Sequence, residues 1–334
     1  MAQPETLDQL LSASRSTSAA PTGIPTPPFP GLSYLSSLHR GDIVEIQGPS
    51  GSGKTHLLYY LICSCILPLR FGGWNKVSVV FDTDGTFDIH RLQTLLRTRL
   101  PPSFPSDPNT PGQIISVALR NVHIFRPKSS SQLAAGLANL SSYHMCNLPT
   151  SEIALLAVDS ASSFYWLDRL AAERHMPPHV MNPATPRPPT SNSPLQTILT
   201  ALWSFHRSHY PVILILNWVP SPISAAGNVP AVQLYKRHLP SSSTLVNRTS
   251  LFPDHGRVTP FLTHQITLDL TRILPSSHSE EQRIASLTHV DIHVHVKTAV
   301  DHTELLLMQI NPEQVIITMA DTAYTSNRDR EEES

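Results

Sequence analysis

Between residues 42 and 217 the spacing of apolar and polar positions switches repeatedly between two patterns. Near-continuous apolar runs of β type, "DIVEIQG" (42–48), "VSVVFD" (77–82), "VHIFR" (122–126), "IALLAVD" (153–159) and "VILILN" (212–217), form the first. Between them lie helical patterns, "GKTHLLYYLICSCIL" (53–67), "DIHRLQTLLRTRL" (88–100), "SSQLAAGLANLSSY" (130–143) and "LQTILTALWSFHRS" (195–208). Strands apolar on both faces and separated by helices are what a parallel sheet between two helical layers requires. The pattern predicts an α/β fold with a mainly parallel central sheet flanked by helices. Strand patterns at 261–270, 290–297, 304–310 and 314–318 follow, mostly with no helix-length segment between them. They predict an antiparallel C-terminal extension of that sheet.

In "VDIHVHVK" (290–297), Val290, Ile292, Val294 and Val296 alternate with Asp291, His293, His295 and Lys297. His-x-His beside an Asp has the residue types of a metal site, but a half-buried strand produces the same alternation without one. The expectation is a solvated or interface-facing strand.

Proline sets the boundaries. Residues 1–30 end in "PTGIPTPPFPG", where closely spaced prolines remove backbone donors and block helix, so a disordered or extended arm is expected there. One domain is expected over 31–320. It is interrupted by the Pro-rich insertion 176–194 and a long loop at 219–259, and a charged disordered tail follows at 321–334.

Charge and cysteine content narrow the classes. Lys and Arg number 24 against 25 acids, which excludes an overall basic footprint for nucleic acid and leaves only local contacts. Cys63, Cys65 and Cys146 are too few and too badly spaced for a disulfide framework or a four-ligand zinc site, and read as reduced core residues. No apolar stretch is long enough for a membrane helix, so a soluble cytosolic or nuclear protein is expected.

The chemistry is carried by "GPSGSGKT": Gly48, Pro49, Ser50, Gly51, Ser52, Gly53, Lys54 and Thr55 fit the phosphate-binding pattern G-x-x-x-x-G-K-[ST]. The segment follows an apolar strand and opens a helix, the setting in which backbone N–H groups turn toward phosphate oxygens. Lys54 is then placed to neutralise the outer phosphates of ATP, and the Thr55 hydroxyl to ligate Mg2+. Asp159, at the end of a continuous apolar strand, is the acid expected to hold that ion through water, ahead of Asp82, Asp84 and Asp168. The residue after it is Ser160, so ATPases with a glutamate directly after this Asp are disfavoured.

The order of the phosphate loop, "VVFDTDGTFDIHRL", "LLAVDSASSFYWLDR" and "LILNW", with "CILP" after the first helix, resembles the RecA superfamily and within it the eukaryotic recombinase paralogues. The likeness covers about residues 31–320 and implies a RecA-like ATP-binding core. In that family the base is the glutamate of D-T-E-G-T-F; here the matching residue is Asp84, whose carboxylate is withdrawn by about 1.5 Å, one C–C bond. A shift of roughly 1 Å can cost about a hundredfold in rate. The family's Asn-Gln pair is represented by Asn217-Trp218, and an indole cannot act as that amide does. A proline-rich arm stands where the recombinases carry a helical DNA-binding domain and an aromatic assembly motif, so a self-sustaining filament is not expected.

The resemblance implies DNA-facing loops after the Asp159 and Asn217 strands. The first holds "YWLDRLAAERH", with Arg169 and Arg174, and the second "QLYKRHLP", with Lys236 and Arg237. Basic residues beside aromatics suit weak single-strand contacts, though a solvated loop has the same composition. The expected protein is an ATP-binding paralogue subunit with weak or no hydrolysis. It would act in the nucleus beside another RecA-like paralogue, helping a recombinase on single-stranded DNA in homologous recombination repair of double-strand breaks. Two alternatives stay open: a stand-alone DNA-dependent ATPase or other phosphate-loop enzyme, and a structural adaptor with a vestigial nucleotide site.

Overall fold

The computed structural model describes residues 38–101, 110–174, 194–219, 262–269, 290–298 and 303–319. The arm 1–30, the segment 176–193, most of the long loop 219–259 with Lys236 and Arg237, and the tail 321–334 lie outside the described residues.

Among the described residues nine strands form one sheet: β1 (Ile43–Gly48), β2 (Val77–Asp82), β3 (Val122–Phe125), β4 (Ile153–Asp159), β5 (Val212–Trp218), β6 (His264–Asp269), β7 (Val290–Thr298), β8 (Thr303–Ile310) and β9 (Val315–Met319). Their spatial order is β3-β2-β4-β5-β1-β6-β7-β8-β9. Every residue of β1, β2 and β4 is buried, and β4 accordingly shows no period-two alternation, while in β1 the buried Glu45 and Gln47 alternate with Val44 and Ile46. The antiparallel extension starts one strand later than the pattern indicated. β6 runs parallel to β1, with Val44 opposite His264 and Ile46 opposite Ile266, and antiparallel pairing begins between β6 and β7. On β7, Ile292, Val294 and Val296 are buried as expected, while Val290 at the strand start is exposed. No group of three or more potential metal ligands occurs among the described residues.

Among the described residues the α-helices are α1 (Lys54–Ile66), α2 (Ile89–Arg99), α3 (Pro111–Leu119), α4 (Ser130–Ala138), α5 (Leu140–Asn147), α6 (Tyr165–Arg174) and α7 (Pro194–His209). In α1 every residue from Leu57 to Ile66 is buried, so the helix is wrapped on all sides, in keeping with its near-absence of polar positions. It stops at Leu67, which is extended ahead of Pro68 as the proline ring demands. The apolar pattern did not single out α3, which is short and opens with Pro-Gly. Thr110 accepts from the Gln113 backbone, the Gln113 side chain answers in a capping box, and Pro111 occupies the first helical turn. The single helix expected over 130–143 is two, because Asn139 ends α4 and opens α5. Pro194, counted in the proline-rich insertion, is the first residue of α7.

Two apolar cores result, one on each sheet face. The first joins α1, α2 and α3 to Val44, Ile46 and Val80 and to Ile292, Val294 and Met308 of the antiparallel strands. The second joins α4 and α7 to Ile43, Val79, Phe81, Leu156 and Ile215. Cys63 and Cys65 lie in the first core; Cys146 is exposed and departs from the expected core position. No helix among the described residues is long and apolar enough to cross a membrane.

Candidate nucleotide site

At the C-terminal ends of β1, β2, β4 and β5 the sheet brings together the residues singled out as a phosphate site, the end at which open α/β sheets bind ligands. Gly48 ends β1 with no room for a side chain. A Cβ there would lie 2.5 Å from Ser52 Oγ and 2.7 Å from the Leu268 carbonyl. Gly53 precedes α1 in the left-handed region at φ +83°, and a Cβ on it would strike the side-chain ends of Ile292, Ile310 and Met308 at 2.6–2.9 Å. The loop is therefore held between its own strand and the antiparallel extension.

Lys54 Nζ donates to the Gly48 and Pro49 carbonyls at 2.9 and 2.6 Å, so its ammonium lies along the inside of the loop. Burial pulls its pKa below the usual lysine value, against the opposing charges of Asp159 and Asp84. Thr55 Oγ1 donates to Asp159 Oδ2 at 2.8 Å. Burial pushes the Asp159 carboxyl up to about 6. The Thr55 hydrogen bond counters this, Asp84 and Asp82 add to it, and Lys54 opposes it. Asp159 and Asp84 thus share Lys54, while Asp82 has Arg126. A hydroxyl beside a buried carboxylate offers the oxygen donors a hard divalent ion takes, so Thr55 and Asp159 fit Mg2+. Ser52 Oγ, buried without a partner inside the loop, fits an incoming acceptor such as a phosphate oxygen.

The two acids of "DTDG" stand in different surroundings. Asp82 is fully buried at the end of β2. Its Oδ1 accepts from the Gly85 backbone at 2.9 Å and its Oδ2 from Arg126 Nε at 2.9 Å, so it closes the turn. Asp84 is exposed, and its Oδ1 accepts from the backbone N and the hydroxyl of Thr86 at 3.1 and 2.7 Å. The short carboxylate is folded onto its own loop.

Several supporting residues escaped the sequence reading. The Thr83 backbone N–H donates to the Asp159 carbonyl at 2.7 Å, and its hydroxyl bonds Ser160 and Ser163, stitching the ends of β2 and β4. Ser162 Oγ accepts from the Trp218 backbone at 3.1 Å and ties in β5. Arg126, one residue past β3, is the counter-ion of Asp82. The run of hydroxyls in "DSASS" was the available signal for the first group; nothing local marked Arg126. Asn217 is buried and donates to Glu45 Oε1 at 2.7 Å, and Glu45 also accepts from Gln265. Trp218 is exposed beside the phosphate loop, with Gly48 as its strand partner.

The DNA-loop assignment requires a correction. Arg169 and Arg174 lie on α6, a helix rather than a loop, and Ser130 Oγ donates to Asp168 Oδ1 in its first turn at 2.7 Å. Both arginines are exposed, and Arg169 sits over the Trp166 ring at 5.5 Å.

Residues 35–171 match the Rad51 family. Over 132 residues the chain is 40% identical to the mouse DNA repair protein XRCC2, covering 40% of this chain and 44% of that protein. It is 27% identical over 176 residues to the XRCC2 homolog of Arabidopsis thaliana (42% and 46%) and 27% identical over 123 residues to the human DNA repair protein RAD51 homolog 2 (37% and 30%). The matches thus span less than half the length of these relatives. The family match covers the phosphate loop, the Asp84 turn and the Asp159 strand, and it agrees with the RecA-like architecture of the sheet.

Proposed function

We propose that this chain binds ATP with Mg2+ and serves as a recombinase-paralogue subunit in homologous recombination repair, with weak or no hydrolysis of its own. One observation carries the reading. Lys54, Thr55 and Asp159 form a complete binding set, while the only carboxylate at the position of the family's base, Asp84, is bound to Thr86. Bound ATP and magnesium supply the charge that Lys54, Thr55 and Asp159 are arranged to meet. The chain's own part is to bind, to orient, and to couple the strand ends through Thr83 and the serines after Asp159. The intact set speaks against a vestigial site in a purely structural adaptor.

The similarity to repair proteins named for XRCC2 and RAD51 supports a partner of the same class, another RecA-like paralogue, and a place in the nucleus. Single-stranded DNA would be met weakly, at Arg169 and Arg174 on α6 and at Lys236 and Arg237. Nucleotide binding by the full chain tests the core of this reading. Lys54→Ala should lower ATP affinity by about tenfold or more, since it removes a charge-assisted contact. Unchanged affinity would remove the site from consideration.

A further inference from the structure

The opposite end of the sheet, where the strands begin, carries a second polar cavity of about 420 Å³, within the size range of small-ligand sites. It is lined by residues that enter three different strands, Arg40 before β1, Lys76 before β2 and Glu152 before β4, and by His144 of α5 and Ser208 and His209 at the end of α7. Glu152 is divided between two cations. Its Oε1 lies 2.8 Å from Arg40 Nη2 and its Oε2 lies 2.8 Å from Lys76 Nζ.

The cluster carries one more positive than negative charge with both histidines neutral. Burial and the neighbouring His144 hold His209 below the usual histidine range, and the two rings meet edge to face at 5.1 Å. Arg40 makes its contacts from Nη2 alone, to Glu152 and to the His209 carbonyl at 3.1 Å, which leaves the Nε and Nη1 donors of its guanidinium unengaged among the described residues. The Lys76 ammonium likewise uses one contact, to Glu152. These side chains are half-exposed, so as a structural clamp the pairs would add little stability. A single internal carboxylate that takes one donor from each of two many-donor cations holds the place a stronger anion would compete for.

We propose that this cavity binds a phosphate dianion, free or esterified, through Arg40 and Lys76, with Glu152 as the internal competitor. A dianion brings more charge and more acceptor oxygens than the glutamate and engages the open donors of both cations at once. The source is either a phosphorylated side chain or free inorganic phosphate. The site is separate from the phosphate loop, because the two lie at opposite ends of the same strands.

The test uses the full chain in the Lys54→Ala background, with inorganic phosphate and O-phosphoserine as probes in calorimetric titrations. One saturable site is expected, weakened about tenfold by Arg40→Ala or Lys76→Ala and tightened several-fold by Glu152→Gln. The opposite direction of the glutamate variant separates loss of the site from loss of folding. Tighter binding of phosphoserine assigns the source to a phosphorylated side chain, and tighter binding of phosphate assigns it to the free ion. No saturable binding of either probe, or binding indifferent to all three substitutions, overturns the proposal.

Discussion

Thr55 and Asp159 are joined by a 2.8 Å hydrogen bond that ties the first turn of α1 to the end of β4, 104 positions further along the chain. It places a hydroxyl and a buried carboxylate side by side in a pocket with surplus negative charge. On the proposed reading, that pairing suits a nucleotide with its metal rather than a bare anion.

The metal-dependent part of ATP binding should therefore rest on this pair. Thr55→Val and Asp159→Asn should each remove most of the gain in ATP affinity that magnesium gives, while the affinity without magnesium changes little. Titrations with and without the ion read this directly. A magnesium effect that survives both substitutions would place the ion elsewhere.

Removing the Arg126 guanidinium leaves the fully buried Asp82 carboxylate with only the Gly85 N–H. Arg126→Ala should destabilise the chain by about 1–3 kcal/mol, the usual cost of leaving a buried polar group short of a partner. Arg126 is itself half-exposed, which keeps the effect below that of a fully buried pair. Urea unfolding of the two proteins measures the difference, and equal midpoints would show that Asp82 needs no counter-ion.

Tyr59 accepts from the Asp88 backbone at 2.7 Å through its hydroxyl, and burial pushes its pKa up to about 12 from 10.0. Its folded-state pKa is thus above the unfolded one. Between those values the unfolded chain has released the proton and the folded chain still holds it, so stability is full below pH 10 and falls as pH rises toward 12. Tyr59→Phe should show a shallower loss over that window in melting curves taken at successive pH values. Parallel losses in both proteins would mean that this phenol does not contribute.

The layout of the central sheet was legible because strands buried on both faces leave uninterrupted apolar runs, as in "IALLAVD" and "VILILN". The phosphate loop was legible because its glycines and Lys54 have fixed spacing. Strand direction was not: β6 has the same apolar pattern whether it pairs parallel with β1 or antiparallel, and only the run of partners from Val44 with His264 to Gln47 with Thr267 shows it to be parallel. Helix α3 was obscured by Pro111 and Gly112, which read as a break but serve as its first turn. The segment from Tyr165 to Arg174 was read through its family position as a loop, while the contact in its first turn, Ser130 to Asp168, joins residues far apart in sequence. For the same reason Arg126 could not be paired with Asp82 in advance.

ATP turnover is the direct test of a site that holds nucleotide without processing it. The purified chain, alone and with single-stranded DNA, should hydrolyse ATP very slowly. Asp84→Glu should raise that rate measurably, because the added methylene carries the carboxylate beyond its bond to Thr86, and Asp84→Asn should leave the slow rate unchanged. A wild-type rate typical of working ATPases, on the order of 1 per second or more and abolished by Asp84→Asn, would contradict the account and establish Asp84 as a functioning base.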